Sequence, residues 1–277
     1  MPGVAARWDA LRGGVADAAM HLEHLEGGPD FDARFEWGRA AHAMSVMYYL
    51  NASHGVFASA AARMAANLAV DKRAIVDGLF HGLGEVSSSV VSPSHLGMRA
   101  SAAAPIPYDP DAARRLLDAL GGGGPVVLRT PLTMPERAPE ISERVAADLR
   151  AVGFDVTIAV QPDRPEYARE VGRKEMGDLA IFDSTPHSTF RVLDDKVSSA
   201  SRAIWWQGFE DGAFEALFTA ARAEVEDDAR EAAYGRCLGR LRENPPWLYL
   251  FHPVIVFAAR PGVARLSLDP KGVLGVW

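Results

Sequence analysis

Residues 108–161 read YDPDAARRLLDALGGGGPVVLRTPLTMPERAPEISERVAADLRAVGFDVTIAVQ and predict an alternation of helices and strands. Asp109 is a good N-cap for the first helix, and Pro110 stands at the first helical position, where no backbone N–H is needed. Gly153 ends a second helix, and residues 154–160 then alternate apolar with more polar side chains, which is typical of a strand with one better-buried face. The segment predicts helix, strand, helix and strand in that order.

The residues that follow extend this alternation. A further helix is predicted from about Pro165 to Lys174, before a last strand. Three strands near 126–129, 154–160 and 178–182 are therefore predicted to share one sheet. Such alternation favours a mainly parallel sheet with helices on its faces.

Elements outside this segment are predicted from apolar patterning and from turn residues. Asp71 can cap a helix, and Asn244-Pro245-Pro246 breaks another. The predicted elements are a short helix at 4–11, a short strand at 15–20, a strand buried on both faces at 43–50, a long loop at 81–108, helices near 211–224 and 227–242, and strands at 247–251 and 253–259. For residues 43–50 a helix stays open, since periodicity alone does not distinguish it from a buried strand.

Composition and charge exclude several classes of protein. The 277 residues carry a net charge of −7, so the chain lacks the bulk positive charge that holds a phosphate backbone, and no nucleic-acid partner is predicted. A single cysteine, Cys237, excludes an internal disulfide and a multi-cysteine zinc site. No apolar run approaches the roughly 20 residues of a transmembrane helix. The opening residues MPGVAARWDALRGG predict no signal peptide.

Five blocks of the sequence, in order, resemble one known family. They read WDALRGGVADAA, YYLNASHGVFASAAARMAANLAVDKRAIVDGLF, PYDPDAARRLLDALG, ERVAADLRAVGFDVTI and YGRCLGRLRENPPWLYLFHPVIVFAARPGVARL. In the second block, the family's pattern of Asn, Phe, Arg, Ala, Asp and a basic residue falls on Asn51, Phe57, Arg63, Ala65, Asp71 and Lys72. Over nearly its whole length, the chain resembles the C-terminal half of the extracellular solute-binding proteins of ABC importers, family 5, the peptide, nickel and oligosaccharide group.

This resemblance implies a fold and a division of the chain. The fold is α/β, a periplasmic-binding-protein type II-like lobe (a mixed sheet flanked by helices) with a partial remnant of the other lobe. Residues 1–50 would be the remnant of the first lobe and the hinge, 51–246 the second lobe, and 247–277 the C-terminal strands that return to the first lobe. Strands near 44–50 and 247–259 would pack together. They would also be the least protected part of the fold, because most of the first lobe is missing.

The resemblance also implies a function. Family members close two lobes over a ligand and present the closed form to a membrane permease. The chain would then be the solute-binding component of a bacterial ABC importer, truncated, which binds a small polar or peptide-like solute without catalysis or cofactor. The resemblance places it in the periplasm or outside the cell, and in the cytoplasm if Met1 is the true start. The incomplete first lobe would expose apolar surface and favour self-association.

Two other functions stay open. The first is a cytoplasmic ligand-sensing module of a transcriptional regulator, which would explain the missing signal, and the second is a remnant that folds but binds nothing. No enzyme is predicted, because the sequence contains no G-x-S-x-G, H-E-x-x-H or P-loop motif and no G-x-G-x-x-G after a strand.

The resemblance places the ligand-facing loop at IFDSTPHSTF, residues 181–190. In peptide-binding members an aspartate there pairs with the α-ammonium group of the ligand, and Asp183 falls on that position, with Phe190 at the end of the loop. A carboxylate suits this task because an ion pair in a closed, water-poor cleft is far stronger than one at the surface. The alternative is that Asp183 caps the helix starting near Ser188. His187, in the same loop, is a further ligand-binding candidate.

Three more side chains are candidate ligand contacts. Arg191 could bind a carboxylate through two hydrogen bonds, or it could be a solvated surface residue. Trp205 and Trp206 are adjacent and cannot share one face, so one of them tends to be exposed and could line a cleft. The alternative is two core anchors. We expect Asp183, Arg191 and at least one of the tryptophans to face one concave surface.

A metal site is not predicted. His21 and His24 can meet on a helix turn, with Glu23 and Glu26 beside them, but no third ligand is obvious and Pro29 follows closely. The segment also matches no site of the family. A nickel-type site built from one of the scattered histidines stays open; these are His54, His81, His95, His187 and His252.

Overall fold

The computed structural model describes residues 3–101, 103–184, 188–263, 266–269 and 273–276. The helices are α1 Val4–Arg12, α2 Ala60–Ala69, α3 Lys72–Phe80, α4 Met98–Ser101, α5 Pro110–Ala119, α6 Ala138–Val152, α7 Arg164–Gly172, α8 Thr189–Val192, α9 Gly212–Ala223 and α10 Asp227–Glu243. The strands are β1 Ala18–Met20, β2 Glu36–Ala41, β3 Ser45–Leu50, β4 Gly84–Val86, β5 Gly124–Pro131, β6 Phe154–Gln161, β7 Leu179–Ser184, β8 Trp247–Ala259, β9 Leu266–Leu268 and β10 Leu274–Val276. Short 3₁₀ turns cover Leu22–His24 and Val56–Ala58, and a π-helical turn covers Leu193–Val197.

The first eight strands form one mixed sheet. Its order is β1-β8-β3-β7-β5-β6, and β2 and β4 also pair with β8. β5 runs parallel to β6 and β7, as the alternation of helices and strands predicts. β3 is antiparallel to both β7 and β8. The three strands predicted to share a sheet do so, and the predicted α/β class with a mixed sheet is confirmed. The expectation of a mainly parallel sheet is wrong, because strands from outside residues 110–182 join it antiparallel.

β3 lies at the centre of the sheet and is buried on both faces, as its apolar sequence predicts. All six of its residues are buried. Val46, Tyr48 and Leu50 point into one core cluster, which includes side chains of α2, α3 and α6. Met47 and Tyr49 point into a second cluster with side chains of α7, α9 and α10. A strand covered by helices on both faces needs apolar residues at every position rather than at alternate ones.

β8 is the longest strand and connects the two parts of the sheet. Its first half pairs with β3 and β4, and its second half pairs with β1 and β2. β2 and β3 follow one another along β8, with Ala41 opposite Val254 and Val46 opposite Phe251. The chain leaves the ladder between these two strands, where the backbone N–H of His42 donates to the carbonyl of Pro253 at 2.8 Å. This break between β2 and β3 positions the cavity described below.

Local capping determines where several helices begin and end. The carboxylate of Asp109 accepts a hydrogen bond from the Ala112 N–H at 2.8 Å, and that of Asp71 accepts one from the Ala74 N–H at 2.9 Å. Gly153 ends α6 in the left-handed conformation, with φ of 113°. These caps are the ones that the sequence predicts.

Other elements differ from the sequence-based expectation. β2 is not predicted, and β4 and α4 lie inside the segment predicted as a loop. The strands predicted at 247–251 and 253–259 are the single strand β8. Pro253 has no N–H to donate, but it lies where the partner of β8 changes from β3 to β2, so the strand continues through it.

The division into residues 1–50, 51–246 and 247–277 stays a prediction, and the sheet runs across both proposed boundaries. Within the described ranges, none of the helices combines the length and the apolar character needed to cross a membrane.

Candidate ligand-binding cavity

A cavity of about 360 Å³ opens beside the break between β2 and β3. Its walls come from the turn after β1, the second half of β8, the connection from α3 to β4, the loop from β5 to α6, and the end of β7. The apolar lining includes Val46, Phe80, Leu83, Phe251 and Ile255. The polar lining comprises His21, Glu23, His24, His42, Glu136 and Asp183. The cavity therefore combines a large apolar surface with a small set of charged groups.

Asp183 reaches this cavity from the end of β7, where it lies opposite Val46 of β3. Its Oδ1 lies 3.4 Å from a guanidinium nitrogen of Arg164, and both side chains are 18% exposed. The guanidinium of Arg164 also lies 4.5 Å from the centre of the Phe182 ring and donates to the carbonyl of Met134 at 2.9 Å. The predicted ligand contact thus lines the cavity with its carboxylate held by a cation.

The other predicted contacts around this loop lie elsewhere. Ser188, not Asp183, caps α8, because its hydroxyl accepts the Arg191 N–H at 3.3 Å. The Arg191 side chain is 68% exposed and pairs with Asp195 at 3.0 Å. Arg191 is therefore a surface residue, and it is not among the described residues that line the cavity. His187 lies outside the described residues.

The two tryptophans pack away from the cavity. The Trp205 ring is half-buried, with its centre 5.2 Å from that of Phe182. The Trp206 indole donates to the carbonyl of Phe209 at 2.7 Å. Neither is among the described residues that line the cavity containing Asp183. The structure thus does not bring Asp183 and a tryptophan to one concave surface.

His21, Glu23 and His24 form a compact group in the cavity wall. Glu23 Oε1 lies 3.0 Å from His21 Nδ1 and 3.2 Å from His24 Nε2. The other oxygen of this carboxylate accepts the backbone N–H of Val256 at 2.7 Å. Glu136, from the loop between β5 and α6, contacts His24 Nδ1. The group therefore links the turn after β1 to β8 and to the helical part of the fold.

Burial and hydrogen bonding act in opposite directions on this group. Burial disfavours the charged carboxylate of Glu23, but hydrogen bonds such as that from His21 and the charge of His24 outweigh it, so the pKa of Glu23 lies below its usual value. Burial also disfavours charge on His24, but its contacts with Glu136 and Glu23 raise the pKa of that imidazole. Burial, with the nearby charge of His21, lowers the pKa of His42.

Sequence reasoning missed two of the charged groups around the cavity. Arg164 begins α7 and Glu136 lies in the loop before α6, and both approach the site only in the folded structure. Neither stands in a motif or at a spacing that marks it. The sequence places Glu23 between the two histidines. Its role as their common hydrogen-bond partner depends on the 3₁₀ turn that follows His21.

The ionisable groups of the lining suit ligand binding. Its carboxylates and imidazoles can hold a cationic or strongly hydrogen-bonding group beside apolar surface.

Comparisons with known proteins, by sequence and by structure, point to one family. The model of the bacterial extracellular solute-binding proteins, family 5 (middle), matches residues 1–191. The nickel-binding periplasmic protein of Escherichia coli (strain K12) is 25% identical over 275 residues, which cover 87% of this chain and 50% of that protein. Di/tripeptide-binding protein 3 of Pseudomonas aeruginosa (strain UCBPP-PA14) is 24% identical over 232 residues, which cover 79% and 42%. The structure of HbpA2 from Haemophilus parasuis superposes with a TM-score of 0.86 at 17% identity, over 100% of this chain and 57% of that one.

These comparisons bear on fold, family and length. The likeness to the solved structure supports the fold alone, since its sequence identity is low. The chain spans about half the length of the curated relatives it matches. The family is one of binding proteins, and the E. coli relative is named as periplasmic. Because the family model matches more than half of the chain, in agreement with the five blocks that resemble it, the chain belongs to the bacterial extracellular solute-binding proteins, family 5.

Proposed function

We propose that this chain forms one wall of the ligand cleft of an ABC-importer solute-binding protein and binds a small polar or peptide-like solute there without catalysis. The observation that carries the proposal is the cavity beside Asp183. Its volume of about 360 Å³ lies within the range of small-molecule pockets, roughly 300–1,000 Å³. It lies where β2, β3 and β8 meet the loops of the predicted second lobe, which is where a cleft between two lobes would be.

The charges of the cavity favour a solute with a cationic group. Glu23, Glu136 and Asp183 all line it. The ion pair with Arg164 uses Oδ1 of Asp183, so an ammonium group of the solute would take Oδ2. Arg164 thus acts as a positioning residue, which holds the carboxylate before a solute arrives. Charge-assisted hydrogen bonds of this kind are about twice as strong as neutral ones.

Family membership supports the remaining parts of the proposal. The partner would be a membrane permease, and the place of action would be the periplasm or the outside of the cell. The relative named for di/tripeptides supports a peptide-like solute.

Calorimetry with a library of dipeptides and small polar solutes tests the proposal. We expect Asp183→Asn to weaken binding at least tenfold, because removing one partner of a buried charge pair costs about 3–5 kcal/mol, or two to four decades of affinity. The loss should persist at high salt, since buried pairs are poorly screened. Asp228→Asn is the matched control, because this fully exposed aspartate lies on α10, outside the cavity.

Two results would overturn the proposal. Tight binding that is insensitive to Asp183→Asn would mean that the solute sits elsewhere. Binding of no solute in the library would mean that this wall cannot hold a ligand without further protein.

A further inference from the structure

We propose that His21, Glu23 and His24 bind one divalent transition-metal ion in the wall of the cavity, with two imidazole nitrogens and one carboxylate oxygen as ligands. This site is distinct from Asp183 and does not depend on the solute proposed above. It also revises the expectation from the sequence that no third ligand accompanies the two histidines.

The spacing of the donor atoms matches a small coordination sphere. Bonds of 2.0–2.1 Å to a tetrahedral Zn²⁺ place neighbouring ligand atoms about 3.3 Å apart. Here Glu23 Oε1 lies 3.0 Å from His21 Nδ1 and 3.2 Å from His24 Nε2. The three donor atoms all lie within 4.8 Å of one another. Small side-chain movements would therefore close the group around an ion.

Two of the ligands are already oriented by further contacts. His24 Nδ1 faces the carboxylate of Glu136, which leaves Nε2 directed at Glu23. A carboxylate on the far nitrogen of a ligating histidine is the common arrangement in metal sites, where it fixes the ring and increases its basicity. The second oxygen of Glu23 is held by the Val256 N–H at 2.7 Å, which leaves Oε1 for the ion.

The backbone brings the three side chains to one side of the turn. His21 has a left-handed φ of 57°, and a 3₁₀ turn follows over Leu22–His24. This backbone brings the rings of His21 and His24 to one side, where they are parallel to within 4°. Glu23 is only 8% exposed, whereas the histidines are about two-fifths exposed and face the cavity. An ion could therefore enter from the cavity and meet a buried negative charge.

The donor set indicates which ions fit. Two imidazoles and a carboxylate suit Zn²⁺, Ni²⁺ or Cu²⁺, whereas Mg²⁺ and Ca²⁺ prefer oxygen ligands alone. With three protein ligands, a tetrahedral ion keeps one position open. That position would face the cavity and accept water or a donor atom of a bound solute.

Titration of the folded chain with ZnCl₂, followed by calorimetry and by equilibrium dialysis with metal analysis, tests the proposal. We expect one Zn²⁺ per chain and no comparable binding of Mg²⁺. His21→Gln and His24→Gln should each weaken Zn²⁺ binding at least 100-fold. Glu136→Gln should weaken it about 10- to 100-fold, since this residue acts through His24. The matched control is His81→Gln, because His81 is an exposed histidine outside the cavity lining.

A second readout keeps a folding defect apart from the loss of a ligand. Co²⁺ in a tetrahedral site of nitrogen and oxygen ligands gives intense visible absorption, and this should be present in the unchanged chain and in His81→Gln but absent in His21→Gln. Circular dichroism of His21→Gln should match the unchanged chain. Failure to bind Zn²⁺ stoichiometrically, or equal losses in His81→Gln and His24→Gln, would overturn the proposal. Neither result depends on whether Asp183 binds a solute.

Discussion

His252 is a buried histidine whose surroundings disfavour its charged form. It lies in β8 and is 1% exposed, with Nδ1 3.1 Å from the Ser45 hydroxyl and 3.2 Å from the Met44 carbonyl. Burial lowers the pKa of this imidazole to about 4, and the hydrogen bond to Met44 only partly opposes that effect. The neutral ring is therefore part of the folded state at every pH above this value.

We predict that this residue makes stability depend on pH. Between pH 6.5 and about 4, the unfolded chain binds a proton at His252 that the folded chain does not, so the free energy of unfolding falls as the pH falls through this window. The full effect is about 3 kcal/mol. Urea unfolding of the unchanged chain and of His252→Gln at several pH values measures it.

The variant should lose this part of the pH dependence, because glutamine does not titrate. His81→Gln is the control and should keep it. Equal pH dependence in His252→Gln and in the unchanged chain would show that His252 titrates normally in the folded state.

At the scale of elements, β3 is an interior strand of the sheet, and all six of its residues are buried. It has a partner strand on each side and a core cluster on each face. β6 pairs with β5 alone among the described strands, and its Val160 is exposed. The family resemblance implies that the strands of the first lobe, β3 among them, are the least protected against hydrogen exchange. Burial favours the opposite, with β3 better protected than β6.

Hydrogen exchange under native conditions tests this reversal. We predict that the amides of β3 exchange more slowly than those of β6, because opening β3 disrupts both core clusters, whereas β6 can fray at the edge of the sheet. The amides of β5, which has partners on both sides, provide an internal comparison. Faster exchange in β3 than in β6 would contradict this prediction and support the expectation that the strands of the first lobe are the least protected.

The elements that could be predicted are those decided by their own residues. The cap at Asp109, the glycine that ends α6 and the alternation in β6 are all local signals. β2 reads EWGRAA and has no such signal, since it is a strand only through pairing with β8. β4 is three residues long and likewise pairs with β8.

The difference between local signals and long-range contacts also explains which of the predicted site residues line the cavity. Asp183 could be placed by family resemblance, and it lines the cavity. Arg191, Trp205 and Trp206 are close to it in sequence, but they do not line the cavity, because α8 and the following turns carry them to the other side of β7 or to the surface. The approach of separate loops to one cavity depends on the tertiary fold, which the spacing of residues within one segment does not reveal.

At the scale of the molecule, an aromatic surface lies at the outer end of the sheet. Phe31 is 48% exposed, with its ring centre 5.1 Å from that of Trp37, and both line a shallow hollow beside Gly38 and Arg39 of β2. β2 has only β8 as its partner among the described strands. An edge strand beside an exposed aromatic ring is a surface on which a second copy of the chain can pack.

We predict that the chain self-associates weakly through this surface. Sedimentation velocity should show a coefficient that rises with protein concentration, and Phe31→Ser should reduce that rise by removing apolar area. Val225→Ser is the matched control, because Val225 is an exposed apolar residue between α9 and α10. A concentration-independent coefficient, or equal effects of the two variants, would contradict the prediction.

The pairing of β3 with β8 also means that β3 waits for its last partner strand while the chain is being synthesised. Ser45 and His252 are in contact but lie 207 residues apart along the chain. At roughly 5–20 residues per second, a ribosome needs about 10–40 s to make the intervening segment. Throughout that time β3, apolar on both faces, lacks at least one of its two neighbouring strands, because β8 is made after β7. The nascent chain must therefore shelter this strand, by transient collapse or by a chaperone, until its last partner emerges.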